Sequence, residues 1–365
     1  MQNKDKKGNK GEWSEFYAFL KILTDRKLFA ADENLEIISD RFYLVLYVIK
    51  NELGSSKKVY DISEDENTIS IVDENGNIID TILNSDISTK SINLFNRIKN
   101  GSKGAFSIDI GSDLMDILHC SKIKSESTNK SDISVILYDQ KTPSPSEVGF
   151  SIKSMIGAPS TLLNAGKTTN FVYKILNLSI DKKTLNILNS KSRFSEKISG
   201  IKNEGGKLIF EKVGNNTFSS NLRKIDSIFP KIISSMLIIY YEGRGSTLQD
   251  IYSELIEDED LLSDIDMEHD TIMLNIKEFL IAIALGMTPN TNWDGLMKTS
   301  GGYIIVKENG DIVCYHVYNR DKFMDYLFKN TRFETASTTR HGFGKIYKEK
   351  NKYYMNLNLQ IRFVK

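Results

Sequence analysis

The stretch GFSIKSMIGAPSTLLNAGKTTN, residues 149–170, decides which kind of α/β protein this chain can be. Its first half is an apolar strand pattern broken by one lysine, Lys153, and its second half contains Gly166-Lys167-Thr168. A phosphate-binding loop reads G-x-x-x-x-G-K-[ST], because the first glycine lets backbone N–H groups curl around the phosphates. The position of that glycine is Thr161, and Thr161-Leu-Leu-Asn164 suggests a short helix after a loop. The GKT is therefore set aside, and a nucleotide-dependent enzyme with it. Attention moves to Lys153.

On a strand, residues two apart share a face. Ser151, Lys153 and Met155 point one way, and Phe150, Ile152 and Ser154 the other. A lysine on a central strand between apolar neighbours costs free energy unless it is paired or functional. The preceding strand, DISVILYD (132–139), is followed by the proline-containing turn QKTPSPSE, which is compatible with antiparallel pairing. That pairing would set Asp132 beside residues 151–153 at one end of a sheet. Two explanations fit: a structural Asp–Lys ion pair, or a Mg²⁺-dependent nuclease centre. In the second, the carboxylate and a main-chain carbonyl hold metal while the lysine acts on the attacking water.

The remainder of the chain mixes strands and helices without a regular βαβ alternation, so an α/β fold with a mixed sheet is expected. Trp13, Phe16, Tyr17, Leu20 and Leu23 recur at helical spacing and predict a helix over 12–24. Further helices are expected over 44–53 (ending at Gly54), 112–119, 161–163, 221–241 and 271–285. Residues 58–83 alternate around an ENGN turn, and 301–318 around an ENGD turn, so both predict hairpins. Strands are also expected over 171–178 and in the C-terminal KIYKEKNKYYMNLNLQIRF.

The longest apolar run, Phe279–Met287, is about half the roughly 20 residues that a membrane span needs. The basic N-terminus has no apolar segment behind it, which argues against a signal peptide. Two cysteines, Cys120 and Cys314, cannot build a disulfide framework or a thiolate metal site. A cytoplasmic protein is expected. Its 48 basic and 48 acidic residues balance, but unevenly along the chain. Residues 250–270 carry ten acids and no Lys or Arg, while 320–365 carry eleven Lys or Arg against four acids. Such segregation can give a neutral protein a basic face for a polyanion. DIDMEHD (264–270) has His269 where a calcium loop needs glycine, and it reads as acidic surface.

Four blocks together carry a resemblance: KGNKGEWSEFYAFLKIL (7–23), KSDISVILYD (130–139), GFSIKSMIGAPSTLLNAGKTTNF (149–171) and FETASTTRHGFGKIY…NLNLQIRF towards the end. They resemble the HpaII family of type II restriction endonucleases, a branch of the PD-(D/E)xK nuclease superfamily, across most of the chain. The resemblance implies a restriction-endonuclease-like mixed β-sheet flanked by helices, with additional helical and β elements. It implies cleavage of double-stranded DNA at a short palindrome, CCGG in the type enzyme, with Mg²⁺ (Mn²⁺ able to substitute) and no ATP. A cognate DNA methyltransferase would be linked functionally without being bound. Asp132 would be the acid of the second core strand and Lys153 the motif lysine, with the Ile152 carbonyl as a further metal ligand.

Position 151 departs from the pattern, which asks for Asp or Glu where this chain has Ser151. The missing carboxylate is expected from the first helix, with Glu15 preferred and Glu12 its neighbour. Glu147 is a weaker candidate and Asp139 weaker still. Both helix acids could equally serve the helix dipole.

For DNA, the polar residues Ser154, Ser160, Thr161, Asn164, Lys167, Thr168 and Asn170 suit phosphate oxygens. Arg320, Arg332, Arg340, His341 and Lys345 lie in the basic C-terminal part. Arg340, flanked by glycines in TTRHGFG, is the first choice for a guanine contact, since arginine reads O6 and N7 bidentately. Three regions are expected: 1–104, contributing a helix to the site; 105–225, the catalytic core; and 226–365, with the basic DNA-binding surface, which could be continuous with the core. A palindrome favours a homodimer, although a monomer can cut one strand at a time. The rival from another class is a catalytically inactive nucleic-acid-binding module on the same fold, which Ser151 makes plausible.

Overall fold

Asn9 starts the first helix through a reciprocal cap: its side chain accepts from the Glu12 N–H at 3.0 Å, and Glu12 Oε2 accepts from the Asn9 N–H at 2.9 Å. The helix, α1 (Lys10–Asp25), ends at Arg26 in the left-handed region, φ 56°. Its apolar stripe is the one expected from the sequence: Trp13, Phe16, Leu20 and Leu23 are all buried. Full burial of each such side chain stabilises by about 1.5–3 kcal/mol, so α1 is held by packing more than by its own propensity. The structure is a computed structural model that describes residues 6–51, 57–123, 131–139, 145–336 and 338–364.

The chain divides into two units, 1–160 with 298–326, and 161–297 with 327–364. In the first, nine strands form one mixed sheet. Their order is Lys27–Ala31, Ile312–His316, Gly302–Val306, Ser146–Ser154, Ile133–Tyr138, Ile37–Asn51, Lys57–Ile62, Thr68–Val72 and Ile78–Leu83. The Ile37–Asn51 strand is long enough to pair with Lys27–Ala31 near its start and with Ile133–Tyr138 near its end. Pairing is antiparallel except where Gly302–Val306 joins Ser146–Ser154 and where Ile312–His316 joins Lys27–Ala31. One apolar cluster fills the space between α1 and this sheet, taking in Phe150, Ile152, Ile304 and Val306.

In the second unit, four antiparallel strands run in the order Lys207–Val213, Asn170–Leu176, Lys352–Asn358 and Ile346–Glu349. A three-stranded sheet places Ile361–Phe363 between Thr161–Leu163 and Thr331–Phe333. The helices Phe229–Glu242 and His269–Leu285 supply much of this unit's buried apolar surface.

Three expectations are corrected. The helix over 44–53 is a strand through Asn51, and its expected end at Gly54 lies outside the described residues. A short apolar run flanked by polar residues fits a buried strand as well as a helix; here sheet partners on both edges decide it. Thr161–Leu163 is likewise a strand, paired with Ile361–Phe363. The helix over 221–241 is two, Asn216–Arg223 and Phe229–Glu242. Pro230 explains the break, since proline is tolerated in a first helical turn but not in a helix interior. The proline turn expected at 140–147 falls mostly outside the described residues, because 140–144 are not among them. Among the described residues no helix is long and apolar enough to cross a membrane.

Candidate active site

Antiparallel pairing puts Ile133 opposite Phe150. One step further, at the open end of the pair, the Asp132 N–H donates to the Phe150 carbonyl at 2.8 Å. Asp132 Oδ2 then accepts from the Ile152 N–H at 2.7 Å and from the Ser151 hydroxyl at 3.0 Å. The N–H and C=O of one strand residue leave the backbone on the same side. The Ile152 carbonyl therefore points toward the strand edge where Asp132 lies. Asp132 and residues 151–153 stand side by side, as the strand spacing predicted.

Ser151 is 8% exposed and donates to Asp132. An ionised acid here could only accept, and would repel the Asp132 carboxylate. The serine that departs from the superfamily pattern thus holds the neighbouring carboxylate in place.

Lys153 and α1 lie on opposite faces of the sheet. Phe150 and Ile152 belong to the core against α1, and the Ser154 hydroxyl donates to the Ser14 hydroxyl at 2.9 Å. Lys153 emerges on the other face with its ammonium 5.3 Å from the centroid of the Tyr303 ring. Tyr303 is the cross-strand partner of Ser151 and is 3% exposed. Burial, with smaller contributions from Tyr326 and the Asp132 charge, pushes the Tyr303 hydroxyl well above the usual range and keeps it protonated.

On the α1 side, the Ser14–Ser154 bond fixes the helix against the strand, and the next residue is Glu15. It lines one pocket with Lys50, Asp132, Ile152, Phe16 and Phe19. Glu12 instead closes the helix cap. Glu147, opposite Ile136, and Asp139 lie further along the strand pair, roughly 13 Å and 23 Å from Asp132 at the usual rise per residue. The described geometry therefore groups Glu15, and not Glu12, Glu147 or Asp139, with Asp132.

Lys50 was missed by sequence reasoning, because the segment holding it reads as a helix. It is 7% exposed, follows Ile49 in the strand paired with Ile133–Tyr138, and donates to the Lys122 carbonyl at 2.7 Å. Recognising the β-rich composition of YLVLYVIKN would have found it.

Among the described residues no three His, Cys, Asp or Glu side chains gather as a metal cluster. The donors around Asp132 are two carboxylates and a peptide carbonyl, all hard oxygens. That set suits Mg²⁺, which takes one or two carboxylates, keeps several waters and completes its shell with substrate phosphates.

The residues expected to meet DNA are placed unequally. Asn164, Lys167, Arg340 and Lys345 are exposed, while Ser154, Ser160, Thr161, Thr168, Arg320 and His341 are half-buried. Asn170 is 6% exposed and its amide donates to the His341 carbonyl at 2.9 Å, a structural use. Arg332 is paired with Glu334 at 3.0 Å, which also holds Arg362 at 2.7 Å. Gly166-Lys167-Thr168 leads through a tight turn into the Asn170–Leu176 strand. A phosphate loop leads into a helix N-terminus, so the geometry also excludes that use.

A sequence model described as HpaII restriction endonuclease matches residues 9–363. Type II restriction enzyme HpaII of Haemophilus parainfluenzae is 37% identical over 358 residues, covering 98% of this chain and 98% of that protein. No solved structure matches the chain. A sequence match over nearly the whole length, carrying with it the Asp132 strand, the Lys153 strand and the Glu15 helix, places this chain in the HpaII restriction endonuclease family.

Proposed function

We propose that this protein is a Mg²⁺-dependent type II restriction endonuclease that hydrolyses double-stranded DNA at CCGG, on a restriction-endonuclease-like sheet formed by its first unit. The observation that carries the reading is the bond of Asp132 to the Ile152 N–H, with Glu15 lining the same pocket on the α1 side and Lys153 next along the strand on the other face. Asp132, Glu15 and the Ile152 carbonyl would hold the metal, whose chemistry is to polarise the phosphate and to lower the pKa of a bound water. Ser151 and the Ile152 N–H orient the Asp132 carboxylate through Oδ2. The Lys153 ammonium donates to the attacking water and to the phosphate oxygen that gains charge as the bond forms. Tyr303 beneath it offers an aromatic face that favours the charged ammonium.

Arg340 is assigned to reading guanine, and the exposed Asn164, Lys167 and Lys345 to holding phosphates. The assembly on DNA is a homodimer whose twofold axis matches the palindrome, and a methyltransferase of the same specificity protects host DNA.

The test is digestion of a sequenced plasmid with Mg²⁺ or with EDTA, followed by sequencing of the fragment ends. Discrete Mg²⁺-dependent fragments ending at CCGG are expected. Fragments ending elsewhere would refute the specificity alone. An uncut plasmid that the protein nevertheless retards in a gel would favour the inactive binding module, which Ser151 in place of an acid keeps in view.

A further inference from the structure

The loop that follows Arg340 is tied down in an unusual way. Gly342 and Gly344 take positive φ, 66° and 81°, in the left-handed region that glycine favours. Three side chains donate to carbonyls of this loop: Asn170 to His341 at 2.9 Å, Asn356 to Gly342 at 3.3 Å and Lys197 to Gly344 at 2.5 Å. The Gly344 N–H in turn donates to the Asn356 carbonyl at 2.9 Å. Between the glycines, Phe343 is 2% exposed and stacks on Phe194, centroids 5.6 Å apart and planes at 9°.

Lys197 is the costly member of this clamp. It is 6% exposed, with its ammonium 5.8 Å from the centroid of the same Phe194 ring. Burial, with a smaller push from Lys345, lowers its pKa. A buried lysine that meets a backbone carbonyl and, among the described residues, no carboxylate costs stability that a methionine would not. Arg340 and Lys345, on either side of the clamp, are exposed. Both side chains carry donors only, and the His341, Gly342 and Gly344 carbonyls already accept from Asn170, Asn356 and Lys197. The exposed edge is thereby suited to an acceptor-rich surface such as a phosphate backbone or the O6/N7 edge of guanine.

We propose that Lys197 is a positioning residue for DNA specificity: by holding the Gly344 carbonyl it keeps the 340–345 loop rigid, so that Arg340 meets a base edge and not merely a phosphate. The proposal rests on the assignment of Arg340 to base reading. A bidentate contact discriminates only while its fork is held in register, whereas a phosphate contact tolerates a mobile arginine.

The test measures equilibrium binding, with Ca²⁺ in the buffer, to short duplexes that carry or lack the site defined by the plasmid digest. The readout is the ratio of the two affinities, which a merely structural role would leave unmoved in a protein that still folds. Arg340→Ala is expected to lower the ratio about 30-fold. Lys197→Met is expected to lower it about tenfold while leaving affinity for the unrelated duplex within about twofold. Asn356→Ala, which removes a second tie, tests the same clamp should Lys197→Met fail to fold. If the folded clamp variants keep the wild-type ratio while Arg340→Ala loses it, the loop needs no clamp and the proposal is overturned. If Arg340→Ala itself keeps the ratio, the base-reading assignment fails and the proposal falls with it.

Discussion

Replacing Ser151 by alanine removes one hydroxyl and, with it, the 3.0 Å hydrogen bond that it donates to Asp132 Oδ2. The bond from the Ile152 N–H at 2.7 Å remains, so the carboxylate stays attached but is oriented less firmly. A hydrogen bond to a charged group contributes about 1.5–3 kcal/mol. Asp132 lies at a strand end where water can replace part of that loss, so the stability cost is expected near the low end, about 1–2 kcal/mol. Catalysis should suffer more. A carboxylate displaced by a fraction of an ångström misplaces whatever it holds, and a misplacement of about 1 Å can cost a hundredfold. The expected outcome for Ser151→Ala is a 10- to 100-fold lower cleavage rate, with a higher Mg²⁺ concentration at half-maximal rate. Ser151→Thr, which keeps the hydroxyl, should stay close to wild type. The assay is single-turnover cleavage of the plasmid across a Mg²⁺ titration, with thermal melting as the control for folding. A folded Ser151→Ala protein with wild-type rate and unchanged Mg²⁺ dependence would refute the orienting role.

Other perturbations follow from the same geometry. Ser151→Asp sets a second carboxylate near 3 Å from the first; at an effective dielectric of about 20 their repulsion is roughly 5 kcal/mol. That variant should melt lower in EDTA and recover with divalent metal, and equal melting in both would contradict the arrangement. Lys50→Met removes a buried cation from the pocket shared with Glu15 and Asp132, so cleavage should drop more than about tenfold; full activity would reduce Lys50 to a strut for the Lys122 carbonyl. His316 is 1% exposed, and burial outweighs the opposing Asp139 charge to lower its pKa from 6.5 to about 4. Between those values the unfolded chain binds a proton that the folded protein refuses, so stability falls as pH falls from 6.5 to about 4. The loss is about 3 kcal/mol below that window. Urea unfolding across it should show that slope, and His316→Phe should flatten it. Gly302→Ala should cost about 3 kcal/mol or more in melting experiments, because Gly302 has φ 116° and an added Cβ would strike the Tyr315 carbonyl.

Local chemistry made part of this protein legible in advance. The apolar stripe of α1, the ENGN and ENGD turns, and the antiparallel approach of Asp132 to Lys153 are all encoded within a few residues or one turn of chain. Short-range signals of this kind survive without an alignment because helical periodicity, turn geometry and strand alternation are properties of the backbone. Side chains spent on structure were not visible. Glu12 and Glu15 are equivalent on a helical wheel, and only the chain entering before Lys10 shows that Glu12 closes the cap.

By itself, then, the sequence determined which residues could do the chemistry: an acid at 132, a lysine at 153, helix acids at 12 and 15, and a serine where an acid was due. Tertiary structure decided which of them meet. The Ile37–Asn51 segment became a strand because partners distant in sequence supply hydrogen bonds along both its edges, a non-local gain that no local propensity contains. Through that strand Lys50 joins the pocket. Gly302–Val306, some 150 residues after Phe150, lays Tyr303 beside Ser151 and under Lys153. Asn170, Lys197 and Asn356 converge on one loop from three separate elements. A hydrogen bond is satisfied by whatever donor the fold brings within about 3 Å, and that distance is set by packing, not by spacing along the chain.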